Sequence, residues 1–562
     1  MVDGLYMSNS NLKNFDNFYA DLAQSAYANR PNNFPPLNNS KTFQDFNFYR
    51  DIVFDGEITP GGKHLPHNGK VYLQLDPDLR DTYKVASIPV PDANGMRQDI
   101  HHKRYQKGLL TDDEAGFSAY YLTDTPTLTN DTKKTYMAIR GSDAISKENW
   151  NDWVDNDAKF ALNHIHTPQA KLATVGMKTK IAEMTEKAPQ ATMDITGHSL
   201  GTIVSAQGVA GLTDEELEKI GKVVLFDGPD TTKSLKKMGL SDEKIKKISE
   251  KIEYYVNPFD VVGMLNREHT ITKLPGDSDE PLKKPVGKVN VLVPLHYTQI
   301  TDPESSHDFG VFQSDGKGNL LTASEDFHPE LLRAGEKLSR LIAKSLDSLR
   351  ALGVDDNVAS NILNAIMRGE ALTKMAIGYA VYKNYTTEYS TIVEEARQES
   401  IKWDREAIPR YQEQLRNGNL TGEKRILVRA QLLQTAAQLA NFDMEDKVKS
   451  VKTLLSDAKE DIQNIVKETR STAFDMVGYL SSSEVTNLLS GFDTISFWDE
   501  GVASDTKTAA TSFLTQIQQL GESLVKASGS FETIDRDSAE DFNNLLADVK
   551  QTWRGKNGSP NG

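Results

Sequence analysis

Residues 192–206 decide the fold: Thr-Met-Asp-Ile-Thr-Gly-His-Ser-Leu-Gly-Thr-Ile-Val-Ser-Ala. The stretch predicts a short strand over residues 192–195 and a small-residue helix over 200–211. The two are joined by Gly197-His198-Ser199-Leu200-Gly201, which fits the pattern G-x-S-x-G. In that pattern the serine occupies a strained strand-to-helix turn, and the glycines avoid clashes that side chains would make. Ser199 is therefore the predicted nucleophile.

Strand-like and helix-like segments alternate on both sides of this turn. Pro168–Lys187 predicts a helix, with proline near its start and Pro189 after its end. Further strands are predicted over residues 135–139, 222–226, 252–256 and 289–293. Strands that alternate with helices form βαβ units, so we expect an α/β fold with a mainly parallel sheet.

Proline and histidine separate this region from the rest of the chain. Of 21 prolines, only Pro409 and Pro560 follow Pro329, and all 11 histidines lie at or before His328. Because proline breaks helices, the chain after about residue 330 can be almost entirely helical. An apolar stripe follows the boundary at Leu331, Ala334, Leu338, Leu341 and Leu349. A heptad seam is predicted farther on at Met444, Val448, Val451, Leu455, Ala458, Ile462 and Ile465. This region is either a self-contained bundle or an elongated hairpin that binds partner helices.

Charge and composition exclude several classes of protein. The chain has 562 residues, 64 basic and 80 acidic side chains and a net charge of −16. A nucleic-acid binder would need a basic surface, so that class is disfavoured. There is no cysteine, and we expect neither a cleaved leader nor a membrane-spanning segment. Export, if it occurs, would follow a leaderless route.

A serine nucleophile also needs two backbone or side-chain donors that stabilise the oxyanion. The N–H of Leu200, directly after Ser199, is the first candidate. The loop after the 135–139 strand, with Gly141 and Ser142, supplies the second.

These segments resemble the class 3 lipase group of α/β-hydrolases over about residues 100–310. The resemblance rests on four segments, A-I-R-G-S (138–142), N-W-N-D-W-V-D (149–155), D-I-T-G-H-S-L-G (194–201) and N-P-F-D-V-V (257–262). It implies the lipase fold, Ser142 as an oxyanion donor and Asp260 as the triad acid.

The acid and the base should follow the serine in chain order. Asp260 follows the 252–256 strand through a turn, and Asp227, after the 222–226 strand, is the alternative. Four histidines follow Ser199, of which His269 is too close to Asp260 and His328 sits at the predicted domain boundary. We favour His307, which lies in a polar loop and fits where the family carries its histidine, over His296.

The whole-chain layout resembles type VII secreted lipase toxins with reversed domain order. It predicts a lipase domain over 1–330, an LXG-like helical targeting domain over 331–554 and a disordered tail over 555–562. Leu489-Ser490-Gly491 matches L-x-G, a very short pattern. The resemblance implies type VII export, small helical WXG-like partners, an immunity protein, a phospholipid or related acyl-lipid substrate and a role as an antibacterial toxin.

No cofactor or metal is expected for this chemistry. Asp152, Asp155 and Asp157 lack the glycine and distal glutamate of an EF-hand, so a structural role is favoured over calcium binding. Two other functions stay open. The helical half could be a membrane-active or scaffold effector with a degenerate hydrolase domain, or the enzyme could be a peptidase, thioesterase or non-lipid esterase.

Overall fold

The computed structural model describes residues 18–26, 53–54, 71–74, 76, 78–92, 95–141, 167–294, 297, 306–307, 312, 320–352, 376–417, 420 and 422–530. Several predicted features lie outside these residues, namely Ser142, His296, the three aspartates at 152, 155 and 157, and the 555–562 tail. The chain divides into two compact units, residues 1–400 and residues 401–562.

The strands of the first unit form one mixed sheet. They are β1 (Val53–Phe54), β2 (Val71–Gln74), β3 (Arg80–Asp92), β4 (Gly95–Lys107), β5 (Thr111–Asp112), β6 (Phe117–Thr123), β7 (Lys134–Ile139), β8 (Thr192–His198), β9 (Ile220–Phe226), β10 (Ile252–Val256) and β11 (Lys288–Val291). The main order is β11-β10-β9-β8-β7-β6-β5-β4-β3, and β2 pairs with β1 and β6.

The half of the sheet from β7 to β11 is parallel, and the half from β6 to β3 is antiparallel. The predicted α/β architecture is therefore confirmed, and each of the five strands predicted from sequence overlaps an observed one. The long β3–β4 hairpin was not anticipated. It extends the sheet on the side away from β11, so the sheet is mixed and not mainly parallel.

The described helices of the first unit begin with α1 (Phe18–Ser25), α2 (Pro168–Lys187), α3 (Leu200–Ala210), α4 (Asp214–Glu218), α5 (Thr232–Lys237), α6 (Asp242–Ser249) and α7 (Pro329–Ala351). They are followed by α8 (Ala376–Arg416), which continues into the second unit. The second unit adds α9 (Gly422–Met476), α10 (Ser482–Leu488), α11 (Thr494–Phe497) and α12 (Glu500–Ser530).

The core of the first unit lies around β8 and α3. Six of the seven residues of β8 are buried, and every residue of α3 is buried. Strands covered on both faces carry apolar runs, which is why β7 and β9 could be predicted. Burying one leucine or isoleucine side chain contributes about 1.5–3 kcal/mol, so this layer fixes the turn between β8 and α3 firmly.

The first compact unit extends beyond the composition boundary near residue 330. The predicted stripe on α7 is confirmed, because Leu331, Leu338 and Leu349 are fully buried and Ala334 and Leu341 nearly so. Contacts group α7 and the first part of α8 with the sheet, as far as Ser400. The division into functional domains at residue 330 stays a prediction.

In the second unit α9 and α12 pack along each other. The predicted seam is correct for Met444, Val448, Val451, Leu455 and Ile462, which are buried or half-buried. It is wrong for Ala458 and Ile465, which are exposed. At these two turns the next residue along the chain is the less exposed one, namely Lys459 and Val466. A nearly straight helix of 3.6 residues per turn drifts away from a strict heptad, which accounts for the shift. None of the described helices is long and apolar enough to span a bilayer.

Candidate active site

Ser199 sits on a strained turn between β8 and α3. Its backbone has φ 56° and ψ −129°, a left-handed value that a residue with a side chain rarely adopts. A Cβ at Gly197 would lie 2.6 Å from the carbonyl oxygen of Gly201, and a Cβ at Gly201 would lie 2.5 Å from that of Ile139. The two glycines of the motif are therefore required by close backbone approach, as the sequence predicted.

The predicted nucleophile, base and acid form one chain of hydrogen bonds. Nε2 of His307 lies 2.9 Å from Oγ of Ser199, and Nδ1 of His307 lies 3.0 Å from Oδ2 of Asp260. A carboxylate can accept but not donate, so Nδ1 carries the proton and Nε2 accepts from the serine hydroxyl. This is the arrangement in which imidazole can act as a general base.

Asp260 is held in place by its own loop. It is 1 % exposed, and its carboxylate accepts from the backbone N–H groups of Val262 at 3.0 Å and Gly263 at 2.6 Å. The alternative acid, Asp227, is buried at the end of β9, and its Oδ1 accepts from the N–H of Asn257 at 2.7 Å. Asp227 therefore supports the start of the acid loop, whereas Asp260 contacts the histidine.

Three other described histidines make different contacts. The backbone N–H of His269 donates to Glu336 on α7 at 2.7 Å. His328 is fully buried at the start of α7, where its Nδ1 lies 2.7 Å from Glu330. His198, inside the motif, donates through Nε2 to the backbone carbonyl of His307 at 2.8 Å. It thus anchors the base, a contact that the motif alone did not predict.

The oxyanion site is partly described. Leu200 is the first residue of α3, so its N–H has no carbonyl partner within the helix and is the donor nearest to Ser199 along the chain. Gly201 packs against Ile139 and Arg140, so the end of β7 lies beside the start of α3. The second predicted donor, Ser142, lies two positions after Arg140 and outside the described residues.

A buried arginine ties the acid loop to the loop after β9. Arg267 is fully buried, its Nε donates to the carbonyl of Gly263 at 2.7 Å, and an NH2 group donates to that of Gly228 at 2.7 Å. Burial lowers the pKa of Arg267, while the nearby Asp230 opposes that shift. The guanidinium also lies 4.6 Å from the ring centre of Tyr254. No local sequence signal pointed to this residue.

The catalytic side chains are buried: Ser199 is 2 % exposed and His307 8 % exposed. Among the described residues no group of three or more histidine, aspartate or glutamate side chains could hold a metal ion. The hydrogen-bonded side chains themselves can carry out acyl transfer from an ester to Ser199.

Comparison with known families agrees with this geometry. Residues 124–269 match the Cutinase family model, a match that contains Ser199 and Asp260, ends before His307 and covers less than half of the chain. The chain therefore carries a cutinase-family domain, a lipase-like α/β-hydrolase, followed by a helical region. Members of that family are carboxylic ester hydrolases, which confirms the predicted enzyme class. Neither the search of curated proteins nor the search of solved structures gave a match.

Proposed function

We propose that the protein is a serine lipase or phospholipase that hydrolyses acyl esters of lipids through Ser199, His307 and Asp260. One observation carries the proposal. A serine on a turn with φ 56° is hydrogen-bonded to a histidine that is in turn hydrogen-bonded to a buried aspartate. The cutinase-family domain supports an ester as the substrate.

The mechanism follows from the hydrogen bonds. His307 takes the proton of Ser199, and the alkoxide attacks the ester carbonyl to give a tetrahedral oxyanion. The N–H of Leu200, with Ser142 as the proposed second donor, stabilises that charge. His307 then protonates the leaving alcohol, and a water activated by the same imidazole hydrolyses the acyl-enzyme. Asp260 keeps the imidazole oriented and stabilises its positive charge.

The proposal extends to the helical region. We propose leaderless type VII export, small helical WXG-like partners on α9 and α12, an immunity protein for the enzyme, and an antibacterial role. The exposed side chains of this region support the proposal that it binds a partner. Many large apolar side chains of α9–α12 are exposed, among them Leu454, Met476, Tyr479, Ile495 and Phe513. Exposed apolar groups at this density are typical of interaction surfaces.

The direct test is hydrolysis by purified full-length protein and its Ser199→Ala variant. Both are incubated with p-nitrophenyl esters of increasing chain length and with vesicles of phosphatidylcholine or phosphatidylglycerol, and released fatty acid is measured. We expect release by the wild type and a loss of at least about 1,000-fold in the variant. Equal release by both proteins, or none by either, would overturn the proposal. Cleavage of short esters without phospholipid would leave an esterase and exclude the lipase.

The same exposed side chains favour a second candidate, a helical effector whose hydrolase domain is dispensable. A toxicity assay separates the two. If Ser199→Ala keeps full toxicity toward target cells, the helical region is the effector. If the variant loses toxicity, ester hydrolysis is the cause.

A further inference from the structure

Tyr389, on helix α8, reaches the loop that carries the triad acid. The residue is 2 % exposed, and its hydroxyl donates to the carbonyl oxygen of Phe259 at 2.8 Å. Phe259 immediately precedes Asp260. The side chain of Ser306, which immediately precedes His307, interacts with the same phenol and lowers its pKa. One hydroxyl group thus contacts the residue before the acid and the residue before the base.

The chemistry of a phenol suits this double contact. It can donate one hydrogen bond and accept another, so it can join a carbonyl to a hydroxyl. Burial, together with the nearby negative charge of Asp260, raises the pKa of Tyr389 above its ordinary value. The hydroxyl therefore keeps its proton over the whole working range of pH and remains a donor to Phe259.

A second contact holds Phe259 from another side. The ring of Tyr297 lies 4.6 Å from that of Phe259, and the Tyr297 hydroxyl hydrogen-bonds to Ser400 on α8. The Ser400 hydroxyl in turn donates to Glu330 on α7 at 2.5 Å. Helices α7 and α8 therefore hold both the carbonyl and the ring of the residue next to the triad acid.

Neighbouring Tyr385 is a buried tyrosine on the same helix that lacks the hydrogen bond to the acid loop. It lies one turn before Tyr389, is 1 % exposed, and its ring centre is 6.1 Å from that of Tyr389. Among the described residues its hydroxyl has no hydrogen-bond partner. Two equally buried phenols on one helix face thus differ in whether they bind the active-site loops.

We propose that Tyr389 is a positioning residue for the triad, which joins the acid loop to the base and makes helix α8 part of the catalytic unit. The inference rests on the proposed hydrolase function. A displacement of about 1 Å in a reacting group can lower a rate about 100-fold. Loss of this bridge should therefore lower turnover and leave substrate binding almost unchanged.

The test compares Tyr389→Phe with Tyr385→Phe in the full-length protein, since each removes a single hydroxyl and keeps the ring. We expect Tyr389→Phe to lower kcat about 10- to 100-fold with KM within about 2-fold. Tyr385→Phe should keep kcat within about 2-fold, with both melting temperatures close to that of the wild type. Ser306→Ala should lower kcat less, and the double variant with Tyr389→Phe should lose less than the product of the two separate effects.

The rate at which a fluorophosphonate labels Ser199 gives a readout that does not depend on the substrate. It should fall in Tyr389→Phe in parallel with kcat. A Tyr389→Phe variant with wild-type kcat and labelling rate would overturn the inference while the hydrolase function stands. Equal losses in both tyrosine variants would also overturn it, because they would show a packing effect. A wild type that neither hydrolyses esters nor becomes labelled would refute the proposed function and this inference together.

Discussion

The helices of residues 329–400 and those of residues 422–530 both carry large apolar side chains but bury them to different extents. On α7, Leu331, Leu338 and Leu349 are fully buried. On α9 and α12, Leu454 is 67 % exposed and Leu520 52 % exposed. The first group completes the core of the sheet unit, whereas many large apolar side chains described in the second group, from Leu454 to Leu520, are exposed.

The polar side chains of the two groups of helices also make different contacts. Glu336 on α7 accepts from the backbone N–H groups of His269 and Ile271, and Arg340 forms two hydrogen bonds with Asp277. In the second group Ser481 and Glu484 cap their own helix. The comparison shows that Glu336 and Arg340 on α7 bind the loop of residues 269–277, whereas Ser481 and Glu484 satisfy groups at the start of their own helix.

The largest expected difference in stability is between matched leucines of the two groups. Leu338→Ala removes a fully buried side chain, and the free energy of unfolding should fall by about 2–5 kcal/mol. Leu454→Ala, at a position 67 % exposed, should change it by less than about 0.5 kcal/mol. Denaturant titration of both variants measures the two values. Similar losses in both would contradict the comparison.

A smaller effect is expected at the buried cluster that starts α7. Burial alone would raise the pKa of Glu330, but the hydrogen bonds from His328 and Ser400 and the charge of His328 lower it below its ordinary value. A lowered pKa stabilises the fold above the unfolded value of about 4.3, and that contribution is lost as pH falls through the folded value.

Glu330→Gln should therefore destabilise the protein by about 1–3 kcal/mol at pH 7. The gap from the wild type should shrink as the pH falls below about 4. Glu484→Gln, which removes an exposed capping carboxylate from α10, is the control and should show a smaller gap at every pH. Denaturant titrations between pH 3 and pH 7 test this, and a gap for Glu330→Gln that widens toward low pH would show that the sign is wrong.

The smallest effect is expected on the exposed apolar surface. Ile495 is 87 % exposed, so Ile495→Ser should change the free energy of unfolding by less than about 0.5 kcal/mol. The same variant should bind less of an apolar dye such as anilinonaphthalene sulfonate. A loss above about 1 kcal/mol would mean that this side chain is part of a core and not of a surface for partners.

The sequence predicted the region around Ser199 well because its signals are local. Pro168 begins α2 and Pro189 follows its end, and the strand over Ile252–Val256 was predicted to the residue. The choices of Asp260 over Asp227 and of His307 among the described histidines agree with the hydrogen bonds.

The residues that hold the active-site loops in place could not be predicted in the same way. Tyr389 lies 130 residues after Phe259, and a tyrosine on a helix face gives no sign of the loop it will contact. From the sequence alone, Arg267 would be taken for an ordinary surface arginine. Periodicity identified parts of α7 and α9, but it could not say which of them covers the sheet, because a helical stripe specifies a buried face and not its partner.

The central claim is that the Ser199 hydroxyl is the nucleophile, and its covalent capture tests that claim most directly. Full-length protein is treated with a fluorophosphonate, and mass spectrometry measures the adduct and locates it after digestion. We predict one phosphonyl group per chain on Ser199, none in Ser199→Ala, and strongly slowed labelling in His307→Ala. Absence of any adduct on the wild type, or an equal adduct on Ser199→Ala, would contradict the account.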